Sequence, residues 1–310
     1  MHPAPAETAQ RTDAFVGPHG LRAGWRILLF VVLTGVGMAI FGLPVVSSGL
    51  FDELTAGFVV MLAGSLLASF VMIRAVDRRP LGALGFPLEP RAARDSAVGF
   101  LIGGGLLGAA VGVLAMTGSA RWLADAGTVP EYAATLGRAL AVFTVAAAAE
   151  EVLFRGYGFQ ALVQGIGEWP AMLLSSAVFA WMHAQNPNVT WVGLANIFLA
   201  GIMLAVGYLR TRSLWFVTAL HMAWNWVMSA LLDFPVSGMQ LDTPLYSARE
   251  TGADWWTGGA FGPEAGLAAT LAIVAGTVWM LRTRHLAESP RLREMRPLVD
   301  TRLGAEWNGR

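Results

Sequence analysis

The stretch ALAVFTVAAAAEEVLFR, Ala139 to Arg155, decides how this chain must be read. It is apolar enough to be a membrane helix, yet Glu150, Glu151 and Arg155 put three formal charges into it. An ionised side chain at bilayer depth costs roughly 2.5–3.5 kcal/mol on insertion scales. The local partner available, Glu151 with Arg155 four residues on, returns about 0.2–0.5 kcal/mol on an exposed helix. The pair does not offset its own burial, so the position calls for a wet, protein-lined cavity in which carboxylates do chemistry.

The rest of the composition agrees with a membrane setting. Of 310 residues, 55% are hydrophobic and 14% charged, with a mean hydropathy of +0.55; charged residues in soluble domains approach about a quarter. Formal charge is zero, all 21 basic residues are Arg, and nothing suggests nucleic-acid binding. Cysteine is absent, which removes disulfides, a thiol nucleophile and thiolate metal ligands. Residues 1–24 are polar, with Pro3, Pro5, Pro18 and Gly20, and the first apolar run begins only near Trp25. A signal peptide would place its apolar region earlier, so a cytoplasmic tail followed by a retained helix is expected.

A bilayer-crossing helix needs roughly 17–25 residues, and eight runs qualify, near 25–43, 54–75, 96–117, 139–163, 169–183, 191–209, 213–232 and 265–282. The fold class expected is therefore all-α, a polytopic bundle of about eight transmembrane helices. The fifth run is short and has Pro170 near its start. Lys and Arg collect in cytoplasmic loops. Arg11, Arg22 and Arg26 precede the first run; Arg74, Arg78, Arg79, Arg91 and Arg94 surround the second connection; Arg210 and Arg212 fill the sixth. Arg282, Arg284, Arg291, Arg293 and Arg296 follow the last run. With eight crossings these all fall on one side, which puts both termini in the cytoplasm and the protein in the cell (inner) membrane. The organisation is then a tail over 1–24, a bundle over 25–284 and a basic tail over 285–310, which can sit on anionic lipid. Gly103, Gly104, Gly105 and Gly108 read as sites of close helix approach. Trp224, Trp226, Trp255 and Trp256 read as interfacial anchors or packing residues.

The first, second, third and eighth runs hold no ionisable residue in their central portions, and the two histidines in apolar sequence lie in the fifth and seventh: His183 after Phe179, and His221 before Asn225. The remaining histidines, His2, His19 and His285, lie in tails. Residues four apart share a helix face, so His221 and Asn225 project together, and so do Glu151 and Arg155. At 1.5 Å per residue Glu150 falls about 16–18 Å from the outer end of its run and His221 about 12 Å from the inner end of its own. These depths coincide. Singly, each residue could be a strut or a helix-packing group; jointly they make a site.

Two chemistries suit these side chains. A carboxylate beside a histidine can take a proton from water while a His/Asn pair holds the oxyanion formed on a carbonyl. Alternatively, Glu150, His183 and His221 could hold zinc or another divalent metal with an open water position. There is no H-E-x-x-H, no intramembrane Asp pair, and no serine in a Gly-x-Ser-x-Gly setting; Ser175 and Ser176 read as packing residues.

The ordered set E-E-x-x-x-R (Glu150, Glu151, Arg155), F-x-x-x-H (Phe179, His183) and H-x-x-x-N (His221, Asn225) resembles the three motifs of the CPBP family. That family unites type II CAAX prenyl endopeptidases with bacteriocin-processing and bacteriocin-immunity (Abi) proteins, and the likeness covers roughly 138–232. The resemblance implies an eight-helix intramembrane protease with a conical cavity open to the cytosol, acting on a membrane-associated or lipidated peptide or protein. It makes Glu150 the water-activating base, with His183 assisting and His221 and Asn225 stabilising the oxyanion. Glu151, Arg155 and Phe179 would support the site. Family members have been called metalloproteases, and a metal-independent glutamate mechanism is also argued for them; both stay open. Expected partners are membrane lipid and a peptide or protein substrate at the membrane surface. The alternatives are a non-catalytic immunity or scaffold protein and a proton-coupled transporter; the latter lacks the expected paired repeats with broken helices.

Overall fold

Every apolar run expected to be a span is helical in the computed structural model, which describes residues 14–17, 20–295, 299–300 and 305–306. A short strand pair, β1 (Val16–Gly17) with β2 (Gly20–Leu21), leads into α1 (Ala23–Ser47) and α2 (Glu53–Val71), and α2 continues in wider turns to Val76. Next come α3 (Pro90–Met116), β3 (Ala120–Ala124), α4 (Val129–Arg155), α5 (Tyr157–Ile166), α6 (Glu168–Met182) and α7 (Trp191–Thr211). Helix α8 (Leu214–Trp226) also runs on in wider turns, to Leu231. The chain ends with β4 (Tyr246–Glu250), α9 (Asp254–Thr257), α10 (Leu267–Arg282), α11 (Pro290–Glu294) and the pair β5 (Val299–Asp300) with β6 (Ala305–Glu306). The tail expectations that rest on His2, Pro3, Pro5, Arg11, Pro18, His19 and Arg296 lie outside the described residues.

Among the described residues, five helices have the length and apolarity to cross a membrane: Ala23–Ser47, Glu53–Val76, Pro90–Met116, Val129–Ile166 and Trp191–Thr211; Leu267–Arg282 is apolar but shorter. The molecule is a mostly helical membrane protein. Its strands are few and peripheral, and the all-α reading omits them. The largest pair sets β3 antiparallel to β4, tying the α3–α4 connection to the α8–α10 loop.

The fourth run departs from its expected 139–163 span in a way that moves the site. Thr128 and Glu131 form a capping box, and Pro130 occupies the first turn, so α4 starts at Val129. It stops at Gly156, which leaves the helical region at φ −75° and ψ −136°. A Cβ there would lie 2.2 Å from the Val152 carbonyl oxygen, so only glycine makes this break. Glu150 and Glu151 consequently occupy the last turns of α4, just before the break inside the Val129–Ile166 apolar stretch. They still meet His221, because His221 lies in the second turn of α8.

Small residues fix the helix spacing around that meeting point. A Cβ on Gly99 would lie 2.2 Å from the Phe216 oxygen, and one on Gly103 would lie 2.0 Å from the Leu220 oxygen, so these positions let α3 seat directly on the α8 backbone. Gly104 faces Val227, whereas Gly105 and Gly108 border open space and take no part in packing. Gly201 of α7 admits Ser176 of α6, its missing Cβ position being 2.9 Å from the serine. At the end of α4, Arg26 bonds Tyr157, Gln164 and Asp77, and Gln160 bonds Ala83 and Tyr208, which ties α5 to α1, α2 and α7.

Candidate functional site

The Glu–Arg pair read as local is a knot across four helices. Glu151 and Arg155 are both fully buried. Glu151 Oε1 accepts from Arg155 Nη1 at 3.1 Å and from His221 Nδ1 at 2.9 Å. A carboxylate only accepts, so Nδ1 carries the hydrogen and Nε2 is the imidazole atom left for other work. Arg155 Nη2 donates to the Gly201 carbonyl of α7 at 3.0 Å. Its guanidinium carbon lies 4.7 Å from the Phe179 ring centroid and 5.9 Å from that of Phe154, within cation–π range. One guanidinium thus joins α4, α6 and α7, and one carboxylate joins α4 to α8.

Glu150 is placed differently. Its Oε2, like the Oε2 of Glu151, is buried with no hydrogen-bond partner among the described residues, and it faces His221 Nε2 at 3.8 Å. Buried acid oxygens are rarely left unsatisfied. A water about 2.8 Å from each of these two atoms would satisfy both. Phe179 ends up between the histidines, its ring centroid 4.7 Å from that of His183 and 6.2 Å from that of His221. His183 closes α6 and donates Nδ1–H to the Phe179 carbonyl at 2.8 Å, leaving its own Nε2 free of that bond.

His221 and Asn225 share a helix face, as their spacing predicts, and both line a cavity of about 50 Å³ with Trp224, Asn196, Ser237 and Glu264 among the other lining groups. By the measure in which one water needs about 10–15 Å³, there is room for roughly three to five. Of the residues singled out in the sequence, Glu151, Arg155, Phe179 and His221 form one linked cluster, which Glu150 meets at His221. His183 joins them through the Phe179 ring, and Asn225 through the cavity. A catalytic zinc needs three protein donors around one point, and among the described residues no three His, Asp or Glu side chains are so grouped. Glu264 and Asn196 escape a reading by motif. Glu264 reads as one of several loop acids, and its one distinguishing signal is its place between Gly262-Pro263 and Gly266 at the mouth of an apolar helix.

A helical membrane protein whose helices converge on a buried carboxylate, imidazole and guanidinium cluster belongs among proteins with a polar site inside the bundle. Residues 132–227 match the family model described as Type II CAAX prenyl endopeptidase Rce1-like. The match begins at Tyr132 within α4 and ends at Val227, immediately after α8, so it contains the whole motif set. No curated protein and no solved structure matches the chain.

Proposed function

We propose that this protein is an intramembrane endopeptidase that hydrolyses a peptide bond in a membrane-associated or lipidated peptide or protein. The observation that carries the reading is the unpartnered Glu150 Oε2 facing His221 Nε2, inside a segment that matches the CAAX endopeptidase model. Water held by Glu150 attacks the scissile carbonyl carbon and gives its proton to the carboxylate, with His183 assisting. Charge then develops on the carbonyl oxygen, where His221 Nε2–H, with both ring nitrogens protonated, and the Asn225 amide donate. Collapse breaks the C–N bond as the Glu150 proton passes to the departing amine. A positioned base contributes about 10²–10⁴-fold, and one oxyanion donor about 10²–10³-fold. Glu151 and Arg155 hold the His221 ring and the end of α4. The bundle is read as eight crossings with both termini and the cavity mouth toward the cytosol, in keeping with the distribution of arginines.

The test uses purified full-length protein in proteoliposomes with a prenylated C-terminal peptide and its unprenylated twin. Glu150→Ala should lower turnover by about 10² or more with an unchanged melting temperature. Equal turnover by wild type and variant rejects the assignment, and the two peptides report whether the lipid is needed.

A further inference from the structure

The α8–α10 loop turns back into the bundle and brings one acid to the cavity that His221 and Asn225 line. Gly262 holds φ +100°, and a Cβ there would lie 2.0 Å from the Pro235 oxygen; at Gly266 it would lie 2.4 Å from the Trp256 oxygen. Both flanks of Glu264 are therefore packed too tightly for side chains, which pins its backbone. Its Oε1 accepts from Trp224 Nε1 at 3.2 Å, and its Oε2 accepts from the Ser237 backbone N–H and hydroxyl, both at 2.8 Å. The Glu264 carbonyl accepts from Asn196 of α7 at 2.7 Å, and Asn196 Oδ1 accepts from Thr270 of α10 at 2.8 Å. A carboxylate offers about four lone-pair sites; three are used here.

Trp224 lies between His221 and Asn225 on α8, is 5% exposed, and walls the same cavity. The rotation of α8 is thus held at three points: Gly99 and Gly103 against its back, Glu151 on His221, and Glu264 on Trp224. We propose that Glu264 is a positioning residue of the hydrolytic site, acting through the Trp224 indole to hold His221 and Asn225 aimed together into the cavity. This rests on the hydrolytic reading above.

The experiment measures kcat, KM and melting temperature for Glu264→Ala, Glu264→Gln, Trp224→Phe and the double variant Glu264→Ala/Trp224→Phe, beside wild type and Glu150→Ala. A residue that aims transition-state donors should show its loss in kcat: about tenfold for Glu264→Ala, with KM within about twofold. Gln keeps an acceptor for the indole and should stay within about threefold of wild type. The double variant should be no slower than the slower single, as for two halves of one contact. A wild-type kcat in Glu264→Ala, a Gln variant as slow as Ala, or losses that multiply in the double variant would each overturn the proposal. Should Glu264→Ala fail to fold, Trp224→Phe, which keeps a ring and loses only the donor, must still lower kcat while Gln does not. Absence of turnover in wild type itself, matched by Glu150→Ala, identifies failure of the hydrolytic reading and removes this inference with it.

Discussion

Two arginine–glutamate pairs are buried in this protein with almost the same geometry. Arg155 meets Glu151 at 3.1 Å, and Arg212 meets Glu288 at 3.2 Å, with every side chain involved at most 7% exposed. Their surroundings differ. Arg212 also donates to the Leu292 carbonyl at 2.9 Å, and Glu288 has Arg293 at 3.7 Å, so this pair fastens the segment after α10 onto the end of α7. Glu151 instead shares its oxygen with His221, next to a second carboxylate that has an oxygen to spare. Burying charge marks where folding is costly; an acid left unsatisfied beside an imidazole marks where chemistry can occur.

The largest expected effect tests that distinction on the acids themselves. Glu150→Gln keeps the shape and removes the base, so turnover should fall about 10²–10⁴-fold. Glu288→Gln, at a charged residue more deeply buried than Glu150, should leave turnover per folded molecule at the wild-type level. A Glu288→Gln protein that folds but does not turn over would erase the contrast between the two pairs.

The arginines sharpen it through stability. Removing one member of a buried pair strands the other and costs about 3–5 kcal/mol, so Arg155→Met and Arg212→Met should both lower the melting temperature strongly. Removing both members with apolar replacements is often neutral or better. Arg212→Met/Glu288→Leu should therefore recover stability and activity together. Arg155→Met/Glu151→Leu should recover only part of the stability and none of the activity, since His221 Nδ1 has lost its acceptor. Activity measured alongside thermal unfolding separates the outcomes.

A smaller effect is expected from the packing behind His221. Gly103→Ala would press a methyl to 2.0 Å from the Leu220 oxygen, next to the histidine. Overpacking of this kind costs about 1–3 kcal/mol and should lower kcat by tilting α8. Gly105→Ala, which points into open space, should be neutral for both; identical behaviour of the two variants would show that α3 does not set the α8 position.

How much of this was legible in the sequence follows from which forces act locally. The helices were, because apolar runs of spanning length leave few alternatives, and so was the meeting of Glu150, Glu151 and Arg155 with His221, because charged and titratable residues are the ones an apolar chain can least explain. The end of α4 was not: the capping box at Thr128 and Glu131 competes with an apolar run that starts later, and the break at Gly156 shows only once Val152 is seen to block a side chain. Nor could one sequence show that Gly103 packs and Gly105 does not, since the two differ only in which neighbour lies opposite. Glu264 was hidden because its role comes from loop turns that bring it to Trp224 across a long stretch of chain.

A third kind of buried acid gives the smallest and most specific test. Glu250 ends β4 in the α8–α10 loop, and burial pushes its carboxyl above the usual 4.5. The native state then holds this proton to a higher pH than the unfolded chain does. Its contribution to stability is complete below the unfolded value and is lost as pH rises through the native one, so at neutral pH the ionised group is a net cost. Glu250→Gln removes that dependence. The variant's gain in melting temperature over wild type should be absent in acid, below the usual 4.5, and should grow as pH rises above it. A gain that is larger in acid would mean that the carboxylate is stabilised in the loop, making Glu250 a fastening like Glu288 rather than an acid held against its preference.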